Sequence, residues 1–221
     1  ALDNNLESFC DLASPEFKKA VNSVKHERSI GLGVMGYHGY LMKRGFAFEG
    51  IAARLFNKSV FRSIHSAADQ ASRELGLARG LPLDGGERRN SYLTSLQPTA
   101  STAYICGGAS PSIEPIAGNA FVQKTLSGSF LVKNIYLEEL LATKDLDNEE
   151  IWKSVIAAKG SVQHLDCLTE EEKRVFRTAY ELNMREVVQQ AADRQPFIEQ
   201  AQSLNLFFES PISGKYLNDA H

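Results

Sequence analysis

Apolar residues recur along the chain at two spacings, which predict helices and strands respectively. The helical spacing is longest over residues 50–75, and Gly76 is expected to end that helix. Alternating apolar residues predict short strands at 29–34, 91–96 and 203–208. Strands separated by helices are typical of an α/β fold.

Shorter helical patterns flank the long one. They predict helices at residues 2–9, 15–25 and 37–43, with Pro15 at a first helical position and Gly45 as a stop. Together with the longer pattern, these segments predict a first half that is mostly helical.

In the second half, residues 121–124 and 129–133 lie on either side of Leu126-Ser127-Gly128, and the second of these stretches is expected to be a strand or extended chain. Helices are then predicted to begin near Asn134, Asp147 and Thr169. The last two starts are followed three residues later by glutamate, which is the spacing of a capping box.

The helix that begins at Thr169 is expected to continue to about Arg194, because Pro196 forbids its continuation. Gly160 is expected to end the helix before it. Residues 211–221 are expected to be irregular or the start of a helix.

Glycine occupies alternate positions in the predicted strand at 29–34, so one face of that strand has no side chains and is expected to pack closely. Gly31, Gly33 and Gly36 also match the dinucleotide-binding pattern G-x-G-x-x-G. We reject that interpretation because the glycines lie inside the predicted strand. A long helix, moreover, occupies the region where the ribose-binding acid should follow.

The candidate chemistry lies just after the strand at 91–96. Pro98 ends that strand because it has no N–H to donate. Thr99, Ser101 and Thr102 bring hydroxyl groups to the first turn of a short helix, which Gly107-Gly108 would end. Free N–H groups and hydroxyls at a helix start can bind a phosphate. Most capped helices bind no ligand, however, and local chemistry by itself favours a capped helix without one.

Composition narrows the class of protein. The 221 residues suffice for one large or two small domains, and the net charge of −3 comes with no basic cluster for nucleic acid. No apolar run reaches the roughly 18 residues of a membrane span, and the polar start is not a signal peptide.

Five scattered histidines have no metal-ligand spacing. The three cysteines, Cys10, Cys106 and Cys167, are typical of a reducing compartment, here the cytoplasm.

Along essentially its whole length the chain resembles the large (α) subunit of class I ribonucleotide reductase, in the C-terminal half of its catalytic barrel. Five stretches carry the resemblance in family order: residues 28–34, 89–91, 98–102, 110–115 and 200–205. The resemblance implies an α/β fold that is part of a ten-stranded α/β barrel, the C-terminal half-barrel with long flanking helices. Residues 1–221 would then form an incomplete part of that barrel domain.

The resemblance also implies a site. In the family, the segment that matches Pro98, Thr99, Ala100, Ser101 and Thr102 binds the diphosphate of the ribonucleotide substrate. This agrees with the phosphate site that the local chemistry allows, and it changes the balance in favour of a ligand. The glycine face at 29–34 would have no nucleotide role.

The chain departs from the family in the residues that carry out the chemistry. The family's radical cysteine lies in Asn-x-Cys-x-Glu, a motif that this sequence lacks, so no catalytic residue is assigned. Cys106 is expected to be a small buried residue and Cys167 to be structural. The adjacent tyrosine pair and the tail cysteines of the family are also missing. We expect the N-terminal half-barrel and the C-terminal tail to be absent and the chain alone to be inactive.

The resemblance implies that the chain belongs to an enzyme that reduces ribonucleotides to 2′-deoxyribonucleotides by radical chemistry for DNA precursor synthesis. This chain would supply the phosphate-binding turn and the barrel wall. Expected partners are a ribonucleoside diphosphate, the segment with the catalytic cysteine, a radical-generating small (β) subunit and a second large subunit. The radical cofactor is expected in the small subunit, with no cofactor or metal in this chain.

Two alternatives remain. The chain could be a non-catalytic nucleotide-binding or regulatory module that kept the half-barrel fold, or an α/β domain without a ligand. A binding module should bind a nucleoside diphosphate as a monomer, whereas a piece of an enzyme should gain affinity on assembly.

Overall fold

Ten α-helices and one β-hairpin make up the regular structure of the described residues, 1–107, 109–125 and 128–220, in a computed structural model. The elements are α1 (Leu2–Leu12), α2 (Lys18–Glu27), α3 (Tyr37–Lys43), α4 (Ile51–Arg79), α5 (Ala100–Ile105), β1 (Ala120–Thr125), β2 (Gly128–Lys133), α6 (Ile135–Thr143), α7 (Glu149–Ala157), α8 (Glu170–Val175), α9 (Met184–Arg194) and α10 (Gly214–Ala220), with 3₁₀ turns at Pro15–Phe17, Ala179–Glu181 and Gln195–Phe197. Within these residues, no helix has both the length and the apolar surface needed to cross a bilayer.

The chain divides into two units by its internal contacts. The first comprises Ala1–Val34, Phe56–Gln97 and Ala191–Ser203. The second comprises Met35–Leu55, Pro98–Gln190 and the chain from Leu204 on. Each unit is built from segments that are far apart in the sequence.

Three extended segments of the first unit run parallel to one another. Leu32 forms a parallel bridge with Thr94, and Leu96 forms another with Gln202. The segment around residues 92–96 therefore lies between the other two, and its Leu93 and Leu96 side chains are buried. Parallel segments joined through long helices are the arrangement expected of an α/β fold.

The predicted strand at 203–208 is wrong in its position. The parallel pairing ends where Ser203 N donates to Leu96 O at 2.8 Å, and residues 204–208 continue as unpaired extended chain. The next backbone N–H groups donate to side chains instead. Asn205 N donates to the Glu114 carboxylate, and Phe207 N donates to Met184 Sδ.

The glycine face of the first extended segment is closely packed, as the sequence predicts. A Cβ atom on Gly33 would lie 2.6 Å from the carbonyl oxygen of Ser95 and would also overlap Oε1 of Gln97. Gln97 Nε2 also donates to the carbonyl oxygen of Gly31 at 3.1 Å. The neighbouring backbone thus occupies the space that a side chain would need.

Helix α4 has 29 residues and a length of about 44 Å. The prediction that it ends at Gly76 is wrong, because the helix continues to Arg79 and Gly80 follows with φ of +87°. A Cβ atom on Gly76 would lie 3.2 Å from the backbone nitrogen of Arg89 and 3.1 Å from Leu81 Cδ2. Gly76 therefore allows the returning chain to approach the helix and does not end it.

An apolar core in the second unit packs α6, α7 and α8 with the start of the hairpin. Strands β1 and β2 pair antiparallel from Ala120–Lys133 to Thr125–Gly128, and β2 contains the predicted extended stretch at 129–133. Leu126 and Ser127 of the predicted connection lie outside the described residues. The core contains Met42, Ala120, Leu137, Leu141, Trp152, Val155, Val162, Leu165, Leu168, Val175 and Phe176.

Asparagine side chains cap α6 and α7. Asn134 accepts from Tyr136 N at 3.1 Å, as expected for a helix that begins there. Asn148, not Asp147, caps α7 by accepting from Ile151 N at 3.0 Å, so the predicted capping box at Asp147 is wrong by one residue. The carboxylate of Asp147 instead accepts from the indole N–H of the buried Trp152 at 2.6 Å.

The predicted helix from Thr169 to Arg194 is interrupted. Thr169 and Glu172 form the expected capping box, but α8 ends at Val175. Thr178 has extended backbone angles and forms a second capping box with Glu181, which begins a 3₁₀ turn. This second cap breaks the apolar pattern into α8 and α9.

Candidate functional site

The predicted phosphate turn lies in the second unit, where Pro98 leads into α5. Thr99 has φ of +49°, an uncommon value for a residue with a branched side chain, and Ala100 is the first residue of the helix. The first backbone bond of the turn runs from Ala103 N to Thr99 O at 2.8 Å. Gly107 follows with φ of +83°, as expected for a helix end, and the predicted stop at Gly108 lies outside the described residues.

Three consecutive N–H groups at the start of α5 have no backbone acceptor in the described part of the chain: those of Ala100, Ser101 and Thr102. All three residues are exposed, whereas Ala103 is buried. The structure thus presents backbone donors and two hydroxyl groups on one exposed turn. Such a set of donors can bind an oxyanion.

Thr99 is fixed by a bond outside the helix. Its Oγ1 atom accepts from Ser112 N at 2.8 Å, and Ser112 is fully buried. The hydroxyl of Thr99 therefore supports the turn and is engaged within the protein. The sequence analysis missed this role, although the Ser110-Pro111-Ser112 run beside the turn was visible in the sequence.

The segment that contains Ser112 is held in turn by the start of α3. Gly36 N donates to Ser110 O at 2.7 Å, and Tyr37 N donates to Ser112 O at 3.3 Å. Gly39 N donates to the hydroxyl of Ser110 at 3.1 Å. These bonds connect the phosphate turn to α3 through a buried segment.

Glu114 connects two further stretches within the second unit. Its Oε1 atom accepts from Asn205 N at 3.2 Å and from Asn205 Nδ2 at 2.7 Å, and the residue is 7% exposed. Burial raises the pKa of Glu114 above its ordinary value, although the two bonds from Asn205 oppose that shift. The residue holds the chain after the third extended segment in place.

A buried histidine lies on α3 of the same unit. His38 is fully buried, and its Nδ1 atom accepts from Ile116 N at 3.0 Å. Burial lowers the pKa of His38 to about 3, so the ring is neutral near pH 7. It supports the segment that follows Glu114.

The cysteines agree only partly with the expectations. Cys106 is exposed just after α5, so the prediction that it is buried is wrong. The neighbouring Ile105 also faces solvent and is 85% exposed. Cys167 is half-buried and packs against the core of the second unit, in agreement with a structural role. The described residues contain no cluster of histidine, cysteine or carboxylate side chains that could hold a metal.

A family model described as the barrel domain of ribonucleotide reductase matches residues 2–88 and 84–221. The chain is similar, at 43% identity over its whole length, to the ribonucleoside-diphosphate reductase large subunit of Invertebrate iridescent virus 6. It is 33% identical over 96% of its length to the protein of the same name from Danio rerio.

The fold of the chain is also similar to that of a solved structure from the same family. The class Id ribonucleotide reductase alpha subunit of Actinobacillus ureae superposes with a TM-score of 0.89 at 38% identity over 98% of this chain. The chain spans only 24% of the viral relative, 31% of the Danio rerio relative and 41% of the Actinobacillus ureae chain.

Proposed function

The chain belongs to the ribonucleotide reductase barrel-domain family, and from this premise we propose that it is part of the large subunit of a ribonucleoside-diphosphate reductase. That enzyme would reduce ribonucleotides to 2′-deoxyribonucleotides by radical chemistry. Relatives that match the chain over its whole length have the name of this subunit, which favours the enzyme over a non-catalytic module.

The single observation that supports a substrate site is the exposed turn at the start of α5. The N–H groups of Ala100, Ser101 and Thr102 would bind phosphate oxygens, and the hydroxyls of Ser101 and Thr102 would add two further donors. Pro98 and Thr99 would position the turn, Thr99 through its bond to Ser112. The ligand is the diphosphate group of a ribonucleoside diphosphate.

The chemistry itself requires groups that this sequence does not contain. Because no Asn-x-Cys-x-Glu motif occurs in it, we propose that the chain acts with a segment that carries the catalytic cysteine and has no reductase activity alone. A separate small subunit would hold the radical cofactor, and two large subunits would associate as a homodimer. The three free cysteines are compatible with a cytoplasmic location, which is part of the proposal.

Replacement of Ser101 tests the site. In the assembled large subunit, Ser101→Leu should abolish CDP binding, because the leucine side chain would cover the free N–H groups. Ser101→Ala removes one hydroxyl and keeps the N–H groups, so it should weaken binding by about ten-fold or less. Titration calorimetry measures both affinities, and urea unfolding checks that stability is unchanged.

Ser59→Leu is the matched control, because Ser59 is also an exposed helical serine but lies in the other unit. It should bind CDP like the unmodified protein. Unchanged CDP affinity in Ser101→Leu would show that the phosphate binds elsewhere.

A further inference from the structure

A basic pocket opens in the first unit, beside α1 and the end of α2. Its volume is about 790 Å³, which lies within the usual range for small-molecule sites. Among the described residues, four cationic side chains line it, and Glu7 is the one acidic residue in the lining. The cationic residues are Lys25, Arg28, Arg79 and Arg89.

Arg89 is engaged within the protein. Its Nε atom donates to the Asp3 carboxylate at 3.2 Å, and its Nη1 atom donates to the carbonyl oxygens of Arg79 and Gly80 at 2.8 and 3.0 Å. Its Nη2 atom pairs with Glu7. Arg89 therefore closes the end of α4 and builds the wall of the pocket.

Arg28 has too few acceptors. The residue is 7% exposed, and its Nε atom has no hydrogen-bond partner among the described residues. Nη2 is in ionic contact with Glu7 Oε1, but the same oxygen also pairs with Arg89. Nε lies 3.7 Å from Asp3 Oδ1, which is beyond hydrogen-bond distance. A guanidinium offers five N–H donors, so this buried group could bind a further acceptor.

The charges around the pocket are unbalanced as well. Asp3 and Glu7 supply two negative charges against the four positive charges of the lining. Burial lowers the pKa of Arg28 below its ordinary value, and the nearby charge of Arg89 lowers it further, whereas Asp3 opposes the shift. The carboxyl group of Asp3 is buried, yet Arg89, Arg79 and Arg28 hold its pKa below the ordinary value.

We propose that this pocket binds a phosphorylated small molecule, with pyrophosphate as its minimal ligand. A phosphate group supplies several acceptor oxygens and more than one negative charge, which is what Arg28 and the net positive lining require. Leu81 and Leu83 form an exposed apolar part of the wall that would contact the organic part of the ligand. The site lies wholly in the first unit and is independent of the turn at Ser101.

Pyrophosphate titration of the full chain at low salt tests the proposal, with every variant made in a Ser101→Leu background. That background removes the other proposed phosphate site, so failure of one proposal does not affect the other. Lys25→Gln removes an exposed charge at the pocket, and Arg28→Lys keeps the charge but loses the planar donors. Each should weaken pyrophosphate binding by about ten-fold.

Lys19→Gln is the control, since Lys19 is an exposed lysine on the same helix outside the pocket, and it should change the affinity by less than about two-fold. If Arg28→Lys does not fold, Lys25→Gln alone decides. Equal losses in Lys25→Gln and Lys19→Gln, or no loss in Lys25→Gln, would overturn the proposal. The proposal would also be overturned if a longer form of the protein, with the same Ser101→Leu substitution, bound no pyrophosphate. In that case a carboxylate of the protein would fill the pocket.

Discussion

The hydroxyl of Thr99 accepts a 2.8 Å hydrogen bond from the buried backbone N–H of Ser112, and this bond joins the proposed phosphate turn to the segment held by α3. Thr99 has a left-handed backbone conformation, so the bond stabilises an uncommon geometry. The donors of the turn are therefore positioned by tertiary contacts as well as by the helix itself.

Thr99→Val should both destabilise the chain and weaken diphosphate binding. Valine has the same shape but no acceptor, so the buried Ser112 N–H loses its partner at a cost of about 2 kcal/mol. Urea unfolding measures the stability, and CDP titration of the assembled subunit measures the binding. Thr99→Ser keeps the oxygen and should retain most of both properties. Equal behaviour of Thr99→Val and the unmodified protein would show that the bond contributes nothing.

Gly33→Ala should lower the free energy of unfolding by roughly 2 kcal/mol, because the new methyl group would overlap Ser95 O and Gln97 Oε1. Gly33 does not have a positive φ, so the loss measures steric crowding and not backbone strain. Gly214→Ala is the control, since no atom lies within 4 Å of the added Cβ, and it should not lower the free energy of unfolding. Thermal or urea unfolding of the two variants compares them directly. A neutral Gly33→Ala would mean that the two extended segments separate easily.

His38 should make the chain less stable as the pH falls. Its folded pKa of about 3 lies below the unfolded value of about 6.5, so between these values only the unfolded state binds the proton. The contribution of the neutral His38 to the free energy of unfolding is fully present above pH 6.5. It falls by about 1.4 kcal/mol per pH unit below that value, until the pH reaches the folded pKa.

His38→Asn isolates this contribution. The asparagine oxygen can accept from Ile116 N as Nδ1 does, but the side chain does not titrate. Between pH 7.5 and 5 the unmodified chain should lose about 2 kcal/mol more than His38→Asn does. Urea unfolding at several pH values gives both slopes, and parallel slopes would contradict the buried neutral histidine.

Glu114→Gln should be at least as stable as the unmodified chain at pH 7. The folded pKa of Glu114 is raised, so its contribution to stability is complete below the unfolded value near 4.5 and decreases as the pH rises above it. Glutamine removes the buried charge and keeps an oxygen for Asn205. Glu114→Leu removes that oxygen as well and should cost about 1 kcal/mol. Chemical unfolding at pH 7 distinguishes the variants, and equal losses in both would rule out this account.

Local sequence patterns were sufficient to predict most secondary-structure elements of this chain. The capping box at Thr169, the Asn134 start of α6 and the short helix after Pro98 follow from residues within one turn of each other. The alternating glycines at Gly31 and Gly33 likewise predicted close packing before any neighbour was known. Such signals depend only on the backbone angles and hydrogen bonds of residues that are adjacent in the sequence, so the sequence is enough to detect them.

Other features depended on partners that are distant in the sequence. The sequence predicted that Gly76 ends α4, but the glycine is needed because the backbone of Arg89 passes close to the helix. The apolar pattern from Thr169 to Arg194 is continuous in the sequence, but the cap at Thr178 interrupts the helix there. The fixing of Thr99 by Ser112 also depended on tertiary structure.

The basic pocket is the strongest such case. Asp3, Arg28, Arg79 and Arg89 come from separate parts of the chain, and no sequence pattern predicted that their side chains would meet. The sequence by itself determined the family, most of the helices and the extended segments at 29–34 and 91–96. The tertiary structure decided which charges are buried together, because burial and pairing depend on distances that sequence order does not encode.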